Sequence, residues 1–193
     1  MDSRESPFLA GERLYLRALH ECDAAGSYPS WFNNEEVCQG NSHHLFPYTT
    51  ENALSYIRFA RESRDDLILA IVLKEDHRHI GNIALQAIHP VNRSAEFSIV
   101  IGDDRAGGHG YGREATLLIF KHGFEELNLH RIGCGTFENN ASMKSLAASL
   151  GMHEEGRRRQ AAFKDGKYLD IVEYGMLRNE FREFEFRCAA PPP

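Results

Sequence analysis

Residues Gly107–Ala115, GGHGYGREA, place four glycines within six positions directly ahead of a helical pattern. The run upstream, Ala95 to Ile101 (AEFSIVI), alternates and then ends in Gly102-Asp103-Asp104, which predicts a strand. Downstream, Thr116 to Phe120 (TLLIF) has helical apolar spacing. The glycines therefore sit on a strand-to-helix turn. Their N–H groups, unobstructed by side chains, can converge on an anion, and the orphan N–H groups and dipole of the following helix add to the attraction. A phosphate cradle and a flexible glycine turn both fit this segment taken alone. Two known phosphate loops do not. A P-loop ends in Gly-Lys-Ser/Thr, whereas Gly112 is followed by Arg113-Glu114. A dinucleotide fingerprint is GxGxxG near the start of a βαβ unit, whereas Gly108–Gly112 is GxGxG and falls past mid-chain.

Toward the N-terminus, Arg13–Arg17 alternates as a first strand, Glu21–Phe32 is a broken helix containing Pro29, and 33–47 is an irregular loop. Thr49 or Thr50 caps a helix from Glu51 to about Ser63. Leu67–Leu73 and Ile80–Ile88 flank the turn Glu75-Asp76-His77-Arg78 as a hairpin, and Arg93–Ile101 is the next strand. Toward the C-terminus, the helix after the glycines runs to about Glu126 and His130–Thr136 is a short buried strand. Asn139 and Asn140 then open a helix that stops at Gly151. Met152–Phe163 and Tyr168–Leu177 are strands joined by the turn Lys164-Asp165-Gly166-Lys167. The order predicts an α/β (α+β) fold: a single mixed, mostly antiparallel sheet of about seven strands flanked by helices. One domain is expected over 1–179, with 180–193 a partly disordered tail outside the core.

A chain of 193 residues with 42% hydrophobic and 26% charged residues has ordinary globular composition and is long enough for one real core. The formal charge of −6 and the lack of a Lys/Arg stripe argue against nucleic acid as a partner. Arg157-Arg158-Arg159 is either a solvated strand or turn, or a face toward an anionic ligand. Cys22, Cys38, Cys134 and Cys188 form no CxxC pair, and neither a signal peptide nor an 18-residue apolar run is present; the expected setting is the reduced cytoplasm, without membrane attachment. His43-His44, His77, His79 and His109 lack a cysteine or carboxylate at ligand spacing, so no metal is expected.

The joint occurrence of AEFSIVIG, GxGYGREA, NNASMKSLAASLGM and the Gly166-x-Tyr168-x-Asp170 ending resembles the GNAT acyl-CoA-dependent N-acetyltransferases. The resemblance covers about residues 12–178 and is closest to the branch of ribosomal-protein N-terminal and amino-sugar acetyltransferases. It implies acetyl-CoA as acyl donor, a primary amine (a protein N-terminus, an amino sugar or a small amine) as acceptor, and a homodimer as assembly. It further implies that the amides of Gly107, Gly108, His109, Gly110, Tyr111 and Gly112 hold the CoA pyrophosphate, with Arg105 and Arg113 adding charge. Arg113 is equally read as a solvent-facing helix residue. The strand carrying Ile99 and Ile101 would splay from the next one to admit pantetheine as an added strand. Asn139 would contact the pantetheine arm or simply cap the helix.

Acetyl transfer from a thioester to an amine needs a base, support for an oxyanion and an acid for the thiolate. Glu96 is the candidate base, acting through a water, although the strand pattern leaves its face undecided. For the acid, many relatives use a tyrosine where Leu146 stands; Ser142 matches the serine of the N-terminal acetyltransferase branch, and is also read as bonding its own backbone. That branch can carry a glutamate where this chain has Ala162. Trp31 and Asn33, with Glu35 and Glu36 close by, and Tyr168 and Asp170 are the candidate acceptor contacts, each with a structural alternative. Leu146 and Ala162 keep a second possibility open, an acyl-CoA-binding regulatory or accessory domain without turnover.

Overall fold

A computed structural model describes residues 6–181 and Phe184. In chain order the elements are β1 (Leu9–Ala10), β2 (Leu14–Ala18), a 3-10 turn (Glu21–Ala25), α1 (Tyr28–Trp31), α2 (Glu35–Cys38), α3 (Thr50–Glu62), β3 (Leu67–Leu73), β4 (His79–His89) and β5 (Ser94–Ile101). A second 3-10 turn (Asp104–Ala106) is followed by α4 (Tyr111–Glu125), β6 (Arg131–Phe137), α5 (Ala141–Leu150), β7 (His153–Lys164) and β8 (Lys167–Leu177). They form one eight-stranded sheet, β1-β2-β3-β4-β5-β6-β8-β7. The β5–β6 pair is parallel and every other pairing is antiparallel. The eighth strand is β1, two residues paired as Leu9↔Leu16 and Ala10↔Tyr15; a segment that short carries no periodicity to read.

Local chemistry sets the boundaries. Thr49 caps α3 by accepting from Asn52 N, while the Asn52 side chain accepts from Thr49 N, a reciprocal pair that satisfies two orphan groups. Gly151, at φ +77°, ends α5 in the left-handed conformation that glycine adopts without a Cβ clash. Inside the loop expected at 33–47, Asn34 accepts from Glu36 N and starts the short α2.

The sheet is covered on both faces. Leu69, Ile71, Phe97, Phe120, Phe124, Ile132 and Leu150 belong to one core, beneath α4 and α5. Tyr28, Trp31, Ile57, Ile68, Ala70 and Val72 belong to the other, beneath α1 and α3. This explains why β3 reads LILAIVL without polar alternation: its odd and even residues enter different cores. The boundary expected at 179 falls inside the core, because Phe181 is 1% exposed and its ring centroid lies 5.2 Å from that of Phe124. Residues 182, 183 and 185–193 of the expected tail lie outside the described residues.

A buried ion pair joins β2 to the turn that follows it. Arg17 donates Nη1 to Asp23 Oδ2 at 2.9 Å and Nη2 to Oδ1 at 2.7 Å. His20 N adds a third bond to the same carboxylate at 2.8 Å. Burial alone would raise the Asp23 carboxyl, but the hydrogen bonds from Arg17 and His79 prevail and hold it far below the usual carboxylate range. Removing one partner leaves a buried charge unpaired. Asp23→Asn is accordingly expected to cost about 3–5 kcal/mol in urea unfolding at neutral pH. Because the folded-state carboxyl is lowered, this contribution is complete above about pH 4, the unfolded Asp value, and declines as pH falls below it. The wild-type and variant stabilities should therefore converge in acid.

Candidate active site

The parallel pair β5–β6 is short. It comprises Ser94↔Arg131, Ala95↔Ile132 and Glu96↔Gly133. Beyond that point β5 stays with β4 (Ser98↔Ala84, Val100↔Asn82) and β6 stays with β8 (Gly135↔Glu173, Phe137↔Ile171). The strands part between them into a cleft of about 1170 Å³, with Phe97, Ser98, Ile99 and Ile101 on one side and Cys134, Gly135 and Thr136 on the other. Two facing strand edges without mutual pairing can accept an extended chain that carries amides of its own.

The glycine loop closes one end of this cleft. Gly108 and Gly110 both have φ +77°, and Gly110 is the N-cap of α4. A Cβ on Gly108 would meet no atom within 4 Å, so the loop surface there is open. Its position is fixed from below by Glu114, in the first turn of α4. Glu114 accepts from Arg13 N and Nε, each at 2.8 Å, while Arg13 Nη1 donates to His109 O at 2.8 Å. The Arg13 guanidinium also lies 4.8 Å over the Tyr111 ring. Burial acts to raise the Glu114 carboxyl, but the bonds from Arg13 bring it below its ordinary value. The acid of the GREA segment thus orients the loop, a role its position in the motif did not disclose.

The expected loop arginines separate. Arg113 lines the cleft and donates Nε to Ser149 O at 3.4 Å. Arg105 turns back to Asp103, with Nη2 at 3.3 Å from Oδ2, and its side chain is 76% exposed; it is not a cleft-lining residue, because Asp103 also accepts from its backbone N and holds the turn closed. The His109 side chain likewise stays off the cleft wall, its carbonyl drawn to Arg13. Of the two asparagines, Asn140 caps α5, accepting from Met143 N at 3.0 Å and donating to Gly40 O at 2.9 Å. Asn139, relieved of capping, lines the cleft together with Ser142 and Leu146.

Glu96 stands on the last parallel pair before the strands part, at the border of the cleft, and neither it nor Glu173 is among the residues that line it. Its neighbours Ala95 and Phe97 enter the α4–α5 core, which settles the open question of its face: the carboxylate lies on the opposite side of the sheet. A Cβ on Gly133 would be 3.7 Å from Glu96 Oε1, and one on Gly135 would be 3.1 Å from Glu173 Oε2. Two carboxylates therefore lie over neighbouring glycines of β6. Desolvation against the sheet and then the charge of Glu173 raise the Glu96 carboxyl above its ordinary value, opposed by Arg131 and Arg158. Arg158 donates Nε to Glu173 Oε1 at 2.5 Å, and Arg131 forks onto Glu155. Glu173 is the acidic neighbour that sequence reading missed; Ala162, by contrast, pairs with Leu169 near the far end of the β7–β8 hairpin.

The expected acceptor contacts end up elsewhere. Trp31 is 4% exposed, with its ring seated where a Cβ on Gly102 would be; it belongs to the core because α1 buries the face that carries Tyr28 and Trp31. Asn33 ties two segments together, accepting from Tyr48 N at 2.8 Å and donating to Tyr48 O at 2.7 Å. Tyr168 is 67% exposed and packs on Phe163 at the hairpin end. Asp170 accepts from Gln160 N at 2.9 Å and so holds the irregularity in β7. The cleft wall on the α1–α3 side is instead Tyr28, Phe32, Tyr48 and Tyr56, with Glu36 and His43. Among the described residues, no group of three His, Cys, Asp or Glu side chains is arranged to hold a metal ion, and no helix is long and apolar enough to cross a membrane.

A family model described as an acetyltransferase (GNAT) domain matches residues 13–153. The uncharacterized N-acetyltransferase YoaA of Bacillus subtilis is 27% identical over 175 residues, 89% of this chain and 97% of that protein. A spermidine N(1)-acetyltransferase of Vibrio cholerae is 26% identical over 171 residues, 88% of this chain and 91% of that protein. Among solved structures, the spermidine N-acetyltransferase from Vibrio cholerae in complex with CoA and spermine superposes with a TM-score of 0.78 at 24% identity, covering 88% of this chain and 98% of that one; this likeness is one of fold.

A side chain at Gly110 would force a left-handed residue to carry a Cβ, at about 1–2 kcal/mol. Gly110→Ala is expected to weaken CoA binding by about tenfold, taking 1.4 kcal/mol per decade, as read by calorimetric titration. The melting temperature should fall by only a few degrees.

Proposed function

Since the chain belongs to the GNAT acetyltransferase family and moves an acetyl group from acetyl-CoA to an amine, we propose that the reaction takes place at the fork of β5 and β6, with Glu96 as its base. The observation that carries this assignment is the register: Glu96↔Gly133 is the last parallel pair before the strands separate, so the carboxylate stands at the apex of the opening. Pantetheine lies along the β5 edge at Ile99 and Ile101, with the Asn139 amide against its arm. The pyrophosphate rests on the amides from Gly107 to Gly112, and Arg113 adds charge.

The acceptor arrives as an ammonium group from the face that bears Glu96 and Glu173. Two carboxylates and the exposed Glu36 favour a cation there. Glu96 takes a proton from the ammonium through a water. The freed nitrogen lone pair then attacks the thioester carbonyl carbon; a C–N bond forms and the charge moves to oxygen. Backbone N–H groups on the slot side of β5 stabilise that oxyanion. Collapse breaks the C–S bond, and the Ser142 hydroxyl, in the first turn of α5, supplies the proton to the departing thiolate. The free cysteines, with Cys38 and Cys134 buried, suit a reducing cytoplasm.

Followed as thiol release, Glu96→Gln is expected to lower kcat by about a hundredfold or more with acetyl-CoA binding retained. Glu96 must be deprotonated to act and its carboxyl is raised, so kcat/KM climbs with pH through that raised value. Glu173→Gln removes a like charge and should move the acid limb to lower pH. Arg158→Gln removes an opposing positive charge and should move it to higher pH. An acid limb that ignores both substitutions would place the base elsewhere.

A further inference from the structure

The chain beyond β8 returns to the glycine-loop end of the cleft. Phe181 is 1% exposed, with its ring centroid 5.2 Å from that of Phe124 and 6.4 Å from that of Phe120, so the segment after β8 is anchored on α4. Phe184 follows three positions later; both residues are helical, and residues with this spacing share a helix face. The anchor thus carries Phe184 toward the other end of α4, where its ring centroid lies 5.6 Å from the Arg113 guanidinium carbon. A Cβ on Gly151, which ends α5, would be 3.5 Å from Phe184 Cδ2. The ring therefore fills the corner between the first turn of α4 and the cap of α5.

Arg113 is half-buried and lines the cleft. Its hydrogen bond to Ser149 O is long, at 3.4 Å. Among the described residues it has no carboxylate partner, whereas Arg105, before the loop, is paired with Asp103. The two groups that hold the Arg113 side chain, a backbone carbonyl and a ring face, are both neutral. They restrain the guanidinium and leave its charge for an anion. A guanidinium over an aromatic face within about 6 Å is attracted by the ring quadrupole, and restraint before binding lowers the entropy lost when the ligand arrives. Phe184 is not a cleft-lining residue, so whatever it does for a ligand passes through Arg113.

We infer that Phe184 is a positioning residue for the acyl donor: its ring holds the Arg113 guanidinium where it pairs with a phosphate of the 3′-phospho-ADP half of CoA. The planar fork of arginine suits phosphate oxygens, and the neighbouring amides at the start of α4 favour the same charge. The segment after β8 then belongs to the donor site. This rests on CoA occupying the glycine loop.

The test is calorimetric titration with CoA, 3′-dephospho-CoA and pantetheine, which lacks every phosphate. Phe184→Leu keeps an apolar side chain and loses the ring face; it is expected to weaken CoA by about fivefold to tenfold. Phe184→Tyr restores the ring and should bind CoA within about twofold of wild type. Pantetheine affinity should stay within about twofold in every variant, which a general loss of structure would not allow. Arg113→Gln should weaken CoA by about tenfold to a hundredfold, and adding Phe184→Leu to it should change nothing further. With dephospho-CoA, a loss of the same size in Phe184→Leu assigns the pyrophosphate, and a vanished loss assigns the 3′-phosphate. Wild-type CoA affinity in Phe184→Leu, equal losses for CoA and pantetheine, no rescue by tyrosine, or additive effects with Arg113→Gln would overturn the inference. Failure of the glycine-loop reading looks different: Gly110→Ala and Arg113→Gln then leave CoA affinity unchanged as well.

Discussion

Everything at the candidate site depends on one departure from regular pairing, the separation of β5 from β6 after Glu96↔Gly133. Each strand keeps its outer partner, so neither loses its place in the sheet. The parting exposes two inner edges on which a ligand can build backbone-type hydrogen bonds. It also fixes what surrounds them. The end of β5 leads through the 3-10 turn into the glycine loop, and the end of β6 leads through Asn139 and Asn140 into α5. The amides of the glycine loop and cleft-facing polar side chains are thereby delivered to the same opening by two consecutive strand–turn–helix units.

Much of this was legible in the chain because it rests on local chemistry. The change of period from AEFSIVI to TLLIF marked the strand and helix, and four glycines between them marked a loop with special backbone needs. Caps were legible as residue types, but the choice between Asn139 and Asn140 was not, since either has the right side chain. The side facing Gly40 took the cap. What escaped was whatever depends on a distant segment. Trp31 and Asn33 sit in a stretch rich in aromatic and acidic residues, yet the first fills the space above Gly102 and the second laces onto Tyr48. Glu114 gave no sign of its use until Arg13, a hundred residues away in the chain, was seen to reach it. Glu173 was invisible as a neighbour of Glu96 because only the strand order β5-β6-β8 brings them to adjacent glycines.

The cleft wall and the sheet surface at its border differ in chemistry. At the apex, Glu96 and Glu173 lie over Gly133 and Gly135, and at Gly135 a Cβ would crowd the Glu173 carboxylate at 3.1 Å. Farther along β4, the wall is phenolic and amide, formed by Tyr28, Tyr48 and Asn82. The buried Arg17–Asp23 pair belongs to this wall as well as to stability, since through His79 it orients the Asn82 amide.

The same placement argues for direct attack on the thioester and against a covalent acyl-enzyme. Cys134 is the one described cysteine at the reacting end of the slot, and it lines the cleft. Its side chain points into the α4–α5 core and is 2% exposed. Burial, and after it the charges of Glu96 and Glu173, push its thiol up to about 12, so at neutral pH almost none is thiolate, the form that attacks. The carboxylates of Glu96 and Glu173 thus add to the burial that keeps the nearby sulfur unreactive. With Glu96 as the proposed base, the amine is deprotonated beside a sulfur that stays protonated, and the acetyl group passes to nitrogen in one transfer.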